Sequence, residues 1–173
     1  MVRRLTGSVL TATVVLVADQ LTKGLAETYL PRFQDGSVSI IGELLRLTYV
    51  ANRGAAFGIL QDRTLFFVFI GLAVIGVIVV SYRYFPLNGF LLNLALGLQL
   101  GGAVGNLIDR VRYGYVVDFI DVAVWPVFNV ADSAIVIGVG ILAFRFWREG
   151  KQERRPTVSG RPDASGNPEA RDG

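Results

Sequence analysis

The chain has 173 residues, 52% of them hydrophobic, with no histidine, no cysteine and a formal net charge of +3. This suits one small membrane-embedded domain, and the two missing residue types exclude a Ser-His-Asp triad, an ordinary zinc site, a thiol nucleophile and a disulfide framework. Much of the positive charge lies at the two ends of the chain, as on cytoplasmic flanks, so it is not read as a nucleic-acid surface.

Four apolar stretches, about 7–25, 65–82, 87–108 and 130–147, each approach the ~20 residues that a hydrocarbon core ~30 Å thick requires. They predict a membrane α-helical fold: four transmembrane helices forming a single domain over 1–150, followed by a disordered, basic, cytoplasmic tail over 151–173. The first stretch follows Arg3 and Arg4 as a secretory signal does. Cleavage after Ala18 would, however, put Leu16 where a small residue is needed, and the helix runs on through Asp19, Gln20 and Lys23, so an uncleaved span is expected. Residues 30–60 alternate weakly and are rich in Val, Ile, Thr and Tyr, which predicts a small external β-rich element. In the third stretch Gly97, Gly101 and Gly105 recur every four residues, the pattern of close helix packing. The segment VVDFIDVAVWPVF between the third and fourth spans mixes aromatic and apolar residues with two acids, and reads as an external interfacial flap.

Arg3 and Arg4, Arg83, and the basic run Arg145, Arg148, Lys151, Arg154 and Arg155 belong to the cytoplasm by the positive-inside rule, which places both termini there. Asp19 and Lys23, Asn52 and Arg53, Asn106, Asp109 and Arg110, and Asn129 and Asp132 then converge at the outer membrane face. A carboxylate kept at the membrane is a functional-site hypothesis, and two acids sharing one proton can activate water. Bland roles stand beside this one: Asp19 and Lys23, four apart, suit a helical ion pair, Arg110 can neutralise Asp109, Asn52 and Asn129 suit turns or caps, and Asp132 suits a helix first turn. Spacing alone does not choose among Asp109, Asp118 and Asp121 as the partner of Asp132.

The blocks DQLTK (19–23), NRGAAFG (52–58), GGAVGNLIDR (101–110), VVDF (116–119) and FNVADSAI (128–135) together resemble lipoprotein signal peptidase, also called signal peptidase II. The resemblance implies an aspartic endopeptidase of the bacterial inner membrane, active at its outer face and needing no metal or other cofactor. Its substrates would be lipid-modified prolipoproteins, cut just before a diacylglyceryl cysteine, with membrane lipids as surroundings and the enzyme a monomer. It implies Asp118 and Asp132 as the catalytic pair, with Asn52, Arg53, Asn106, Asp109, Arg110, Asn129, Asp19 and Lys23 lining or supporting the site. The connection between the two acids is shorter, and the tail longer, than the family pattern. Two rival readings have testable signatures: an ion transporter, which needs polar residues throughout the bilayer depth, and a serine/lysine peptidase built on Ser133 and Lys23.

Overall fold

The computed structural model describes residues 2–54, 63–84 and 89–153. Its elements in chain order are helix α1 (Val2–Tyr29), strands β1 (Ser37–Ile41) and β2 (Leu45–Asn52), helices α2 (Thr64–Tyr84) and α3 (Phe90–Tyr113), strands β3 (Val116–Val122) and β4 (Trp125–Phe128), and helix α4 (Val130–Glu153). Four helices are long and apolar enough to cross a membrane, over Thr6–Arg32, Thr64–Tyr82, Phe90–Tyr113 and Val130–Lys151. The protein is a multi-pass membrane protein.

Backbone hydrogen bonds closed within the chain carry these helices past the expected span limits. α1 starts before residue 7 and continues beyond 25 to Tyr29. α3 starts at Phe90 rather than 87, with 87–88 outside the described residues, and ends at Tyr113 rather than 108. α4 passes 147 to Glu153, so Lys151–Glu153, assigned above to a disordered tail, are helical, and 154–173 lie outside the described residues.

α3 is the central helix: half of its apolar window is buried, against 6% for α2, whose side chains are free to face lipid. The glycines explain how it is approached so closely. A Cβ on Gly97 would sit 2.7 Å from the Ser8 carbonyl, one on Gly101 2.6 Å from that of Ala12, and one on Gly105 2.5 Å from Asp19 Oδ2. These contacts advance in step, so α1 and α3 run parallel. On another face Gly102 would meet the Ala131 carbonyl at 2.5 Å, while Gly138 of α4 would meet that of Ala95 at 2.7 Å, so α3 and α4 run antiparallel. Small residues here replace side-chain packing with backbone contact.

The four strands form one antiparallel sheet in the order β1-β2-β3-β4. The segment expected as a separate flap is thus the second hairpin of the same sheet as the β-rich element. Its turn is exposed and apolar, with Val124 91% and Trp125 61% accessible. A small core of Ala26, Leu30 and Phe119, with Val38, Leu47 and Tyr49 against it, seats the sheet on the last turn of α1. Gly114, at φ 79°, ends α3 by donating its N–H to the Arg110 carbonyl. A non-glycine residue is strained there, and this turn brings β3 back over the end of α3.

Candidate active site

Seven polar residues are buried among the described residues: Ser8, Asp19, Lys23, Asn106, Asp109, Asp118 and Asn129. All but Ser8 belong to one network where α1, α3, β3 and the start of α4 meet. A transporter reading needs polarity along the whole bundle, and this distribution does not supply it.

The inner layer is an ion cluster. Lys23 Nζ lies 2.9 Å from Asp19 Oδ2 and 2.8 Å from Asp109 Oδ2, and donates to Asn106 Oδ1 at 2.9 Å. An ammonium has three donors, and all three are used. Both oxygens of each carboxylate are engaged: Asp19 Oδ1 accepts the Ala131 N–H at 2.9 Å, Asp109 Oδ2 the Val117 N–H at 3.2 Å, and Asp109 Oδ1 the Gln20 side-chain amide at 3.0 Å. Helical spacing brings Asp19 and Lys23 together, as expected of an i,i+4 pair. Gln20 was not among the expected site residues. Its signal was present: it stands between Asp19 and Lys23 in the DQLTK block.

The outer layer holds Asp118 on β3 and Asp132 in the first turn of α4. Asp118 Oδ2 accepts from Asn52 Nδ2 at 2.7 Å and its Oδ1 from Asn129 Nδ2 at 2.7 Å. Asp132 Oδ1 accepts from Asn106 Nδ2 at 2.8 Å and its Oδ2 from the Asn129 N–H at 3.4 Å. Each of the three asparagines uses its oxygen elsewhere. Asn52 Oδ1 accepts the Gly54 N–H, Asn129 Oδ1 the Asp132 N–H, and Asn106 Oδ1 the Lys23 ammonium. The amide nitrogens are thereby forced toward the carboxylates. The capping role of Asn129 and the first-turn role of Asp132 are therefore real: the two residues form a reciprocal capping box, and Asn129 still has its amide nitrogen for Asp118.

Asp118 is 1% accessible. Burial, and next the charge of Asp132, push its carboxyl up to about 7, against the amides of Asn52 and Asn129 and the charge of Lys23, which favour ionisation. Asp121 lies on the opposite face of β3, where it accepts a hydrogen bond from Thr48 Oγ1 at 2.9 Å. Arg110 does not cover Asp109, which Lys23 neutralises. Its guanidinium instead stacks 4.9 Å from the Phe67 ring centroid on α2. Arg53 is exposed beside Asn52, and of the NRGAAFG block only Asn52–Gly54 lies among the described residues. Ser133 Oγ donates to the Asn129 carbonyl at 3.0 Å, while Lys23 Nζ is directed at Asp19, Asp109 and Asn106, so the serine/lysine arrangement is not formed. Among the described residues no group of three or more acids is arranged for a metal ion. Beside Asp132 an apolar groove of about 390 Å³ is lined by Val122, Trp125, Phe128, Val136 and Ile137.

A helical membrane bundle with two opposed carboxylates at one end, in a chain without histidine or cysteine, belongs to the class of membrane-embedded aspartic hydrolases. The family model described as Signal peptidase (SPase) II matches residues 11–148. The "Lipoprotein signal peptidase" of Moorella thermoacetica is 50% identical over 149 residues, covering 85% of this chain and 97% of that protein. That of Caldanaerobacter subterraneus is 54% identical over 131 residues, covering 75% and 88%. A bacterial membrane enzyme solved by the in meso method at 2.3 Å superposes with a TM-score of 0.79 at 33% identity, over 87% of this chain and 93% of that one. The chain belongs to the signal peptidase II family, and is an aspartic peptidase.

Proposed function

We propose that this protein removes the signal peptide from diacylglyceryl-modified prolipoproteins, cutting just before the lipidated cysteine, with water activated between Asp118 and Asp132. The observation that carries the reading is the pair itself: two adjacent acids, one fully buried, met by neutral amide donors. Two such acids hold one proton between them more readily than two charges. The ionised partner takes a proton from water as its oxygen attacks the scissile carbonyl carbon, and the protonated partner gives its proton to the carbonyl oxygen. Collapse of the tetrahedral intermediate breaks the C–N bond: the leaving amine takes the proton that the first partner had removed from water, and the second partner regains a proton from a hydroxyl of the intermediate.

Asn52, Asn106 and Asn129 hold the two acids in place, Asp19, Lys23 and Asp109 support them from below, and Arg53 and Arg110 line the approach. The groove beside Asp132 suits an apolar peptide or acyl segment entering from the bilayer. The basic residues at 3–4, 83 and 145–155 support cytoplasmic termini and a site at the outer face of the bacterial inner membrane, with the enzyme acting as a monomer among membrane lipids. The exposed hairpin turn at Val124 and Trp125 suits a flap at the membrane interface.

The test is cleavage of a diacylglyceryl-modified prolipoprotein by the purified protein in detergent, beside unlipidated substrate, Asp118→Asn and Asp132→Asn. Only the unaltered enzyme on the lipidated substrate is expected to cut. Equal cleavage of the unlipidated substrate removes the lipid requirement, and activity in Asp118→Asn removes the pair.

A further inference from the structure

Lys23 is buried, 3% accessible, and joins the ion cluster through its side chain to Asn106, which in turn donates to Asp132. Two of its donors neutralise Asp19 and Asp109. The third adds nothing to that neutralisation, because it goes to a neutral group, Asn106 Oδ1. What it fixes is orientation. A primary amide has an acceptor end and a donor end of nearly equal size, and only its neighbours decide which way round it lies. Asn106 Oδ1 faces two donors, Lys23 Nζ at 2.9 Å and Asn129 Nδ2 at 3.2 Å. Turned over, the amide would set its own NH₂ against an ammonium and a second amide, and would leave Asp132 facing a carbonyl oxygen. With the oxygen pinned, Nδ2 donates to Asp132 Oδ1 at 2.8 Å.

We propose that Lys23 is a positioning residue for the reaction: through the oxygen of Asn106 it holds the Asn106 N–H on Asp132, and so maintains Asp132 in the state that accepts the proton of water. The inference rests on the aspartic reading above and adds a task for the family-motif lysine that ion pairing alone does not contain. A donor polarised by a neighbouring cation is strengthened, and a hydrogen bond to the charged form of an acid favours that form.

The experiment is a double-mutant cycle on cleavage of the lipidated prolipoprotein. Its four enzymes are the unaltered protein, Lys23→Met with Asp109→Asn, Asn106→Ala, and all three substitutions together. The first combination keeps the net charge of the cluster, so it removes the stronger, charged contact to Asn106 Oδ1 and leaves the longer one from Asn129 Nδ2, without adding a buried charge. Expected is a loss of kcat of about 10- to 100-fold, the size of one hydrogen bond to a charged group, with KM changed by less than about threefold. The acid limb of the pH profile moves to higher pH, because the charged form of the pair has lost a donor. In the Asn106→Ala background the same two substitutions cost less than about threefold, since their route is already cut. Effects that multiply independently, or a folded Lys23→Met/Asp109→Asn enzyme with the original kcat and pH profile, overturn the proposal.

Should that combination fail to fold, Lys23→Arg keeps the charge but replaces the compact ammonium by a planar fork, which does not reproduce the three-way geometry on Asp19, Asp109 and Asn106. It is expected to fold and to show an intermediate loss of kcat with the same shift of the acid limb, and an unchanged profile overturns the proposal. Asp118→Asn and Asp132→Asn run in parallel separate the two levels. If either cuts at the original rate, the aspartic reading itself falls. If both are inactive while the Lys23 variants match the unaltered enzyme, only the positioning role falls.

Discussion

Four aspartates meet at one end of the bundle, and they divide into two pairs with opposite solutions to the same difficulty. Asp19 and Asp109 share an ammonium and are satisfied by charge. Asp118 and Asp132 are met by amides, which donate but do not neutralise. A cation beside a buried acid favours the charged form, whereas a second acid disfavours it and favours sharing of one proton, which is the quantity that acid/base chemistry needs. Position at the end of the bundle therefore does not separate the two pairs; the charge of the nearest partner does.

The largest expected effect tests that division directly. Asp118→Asn and Asp132→Asn are each expected to lower kcat by at least about 10³-fold, because in the proposed reaction each removes a proton carrier rather than a contact, and discontinuous cleavage assays of the purified variants measure it. Lys23→Met alone strikes the other pair. It leaves two buried carboxylates without a counter-ion, at a cost of about 3–5 kcal/mol, the usual price of breaking a buried ion pair, and thermal unfolding in detergent reads it. Equal stability in Lys23→Met and the unaltered protein would mean that the inner acids are not held as ions.

The pH dependence sharpens the same contrast. With its carboxyl raised from 3.8 to about 7, Asp118 stays protonated in the folded protein over a range in which the unfolded chain has lost that proton. Its contribution to stability is thus fully present below the ordinary carboxylate range and is lost as pH rises toward 7. Activity follows on the basic side, where kcat/KM is expected to fall about tenfold per pH unit above 7 as the acid partner ionises. A profile flat from pH 6 to 9 would count against a shared proton.

Much of this was legible in the residues. The four spans follow from hydrophobic length, and convergence of the polar positions follows from alternating helix direction, so the sequence alone brings Asp19, Lys23, Asn106, Asp109, Asn129 and Asp132 together. Helix ends were less legible, because apolar composition marks the hydrocarbon core while hydrogen bonding sets the helix, which is why α1 and α4 overrun their expected limits. The joining of both hairpins into one sheet was not legible at all, since strands separated by two membrane spans carry no local sign of pairing. Spacing alone did not choose among Asp109, Asp118 and Asp121 either; only the resemblance of the VVDF block pointed to Asp118. The choice depends on which acid finds Lys23, which one meets Asn52 and Asn129, and which faces away.

Gly105→Ala tests how tightly the ion pair is enclosed. The new methyl would stand 2.5 Å from Asp19 Oδ2, and since that oxygen is held by Lys23 it can move only by straining the cluster, so a loss of about 1–3 kcal/mol in stability is expected. Activity per folded molecule should fall less than in the Lys23 variants, because Asn106 and Asp132 are not touched directly. Unchanged unfolding would show that α1 can move away from α3 without cost.

The smallest effect is expected at Asp121. It lies three residues from Asp118 on the same strand, and in sequence the two are equally good candidates. Strand alternation turns Asp118 toward Asn129 and Asp121 toward Thr48, at the half-buried outer side of the sheet. Asp121→Asn keeps an oxygen to accept from Thr48 and removes only a charge that water partly screens. Its effect should stay within about 0.5 kcal/mol in stability and about twofold in kcat, the same energy expressed as a rate. A loss approaching that of Asp118→Asn would mean that β3 shifts register on binding substrate, since a one-residue slip exchanges the two faces of the strand.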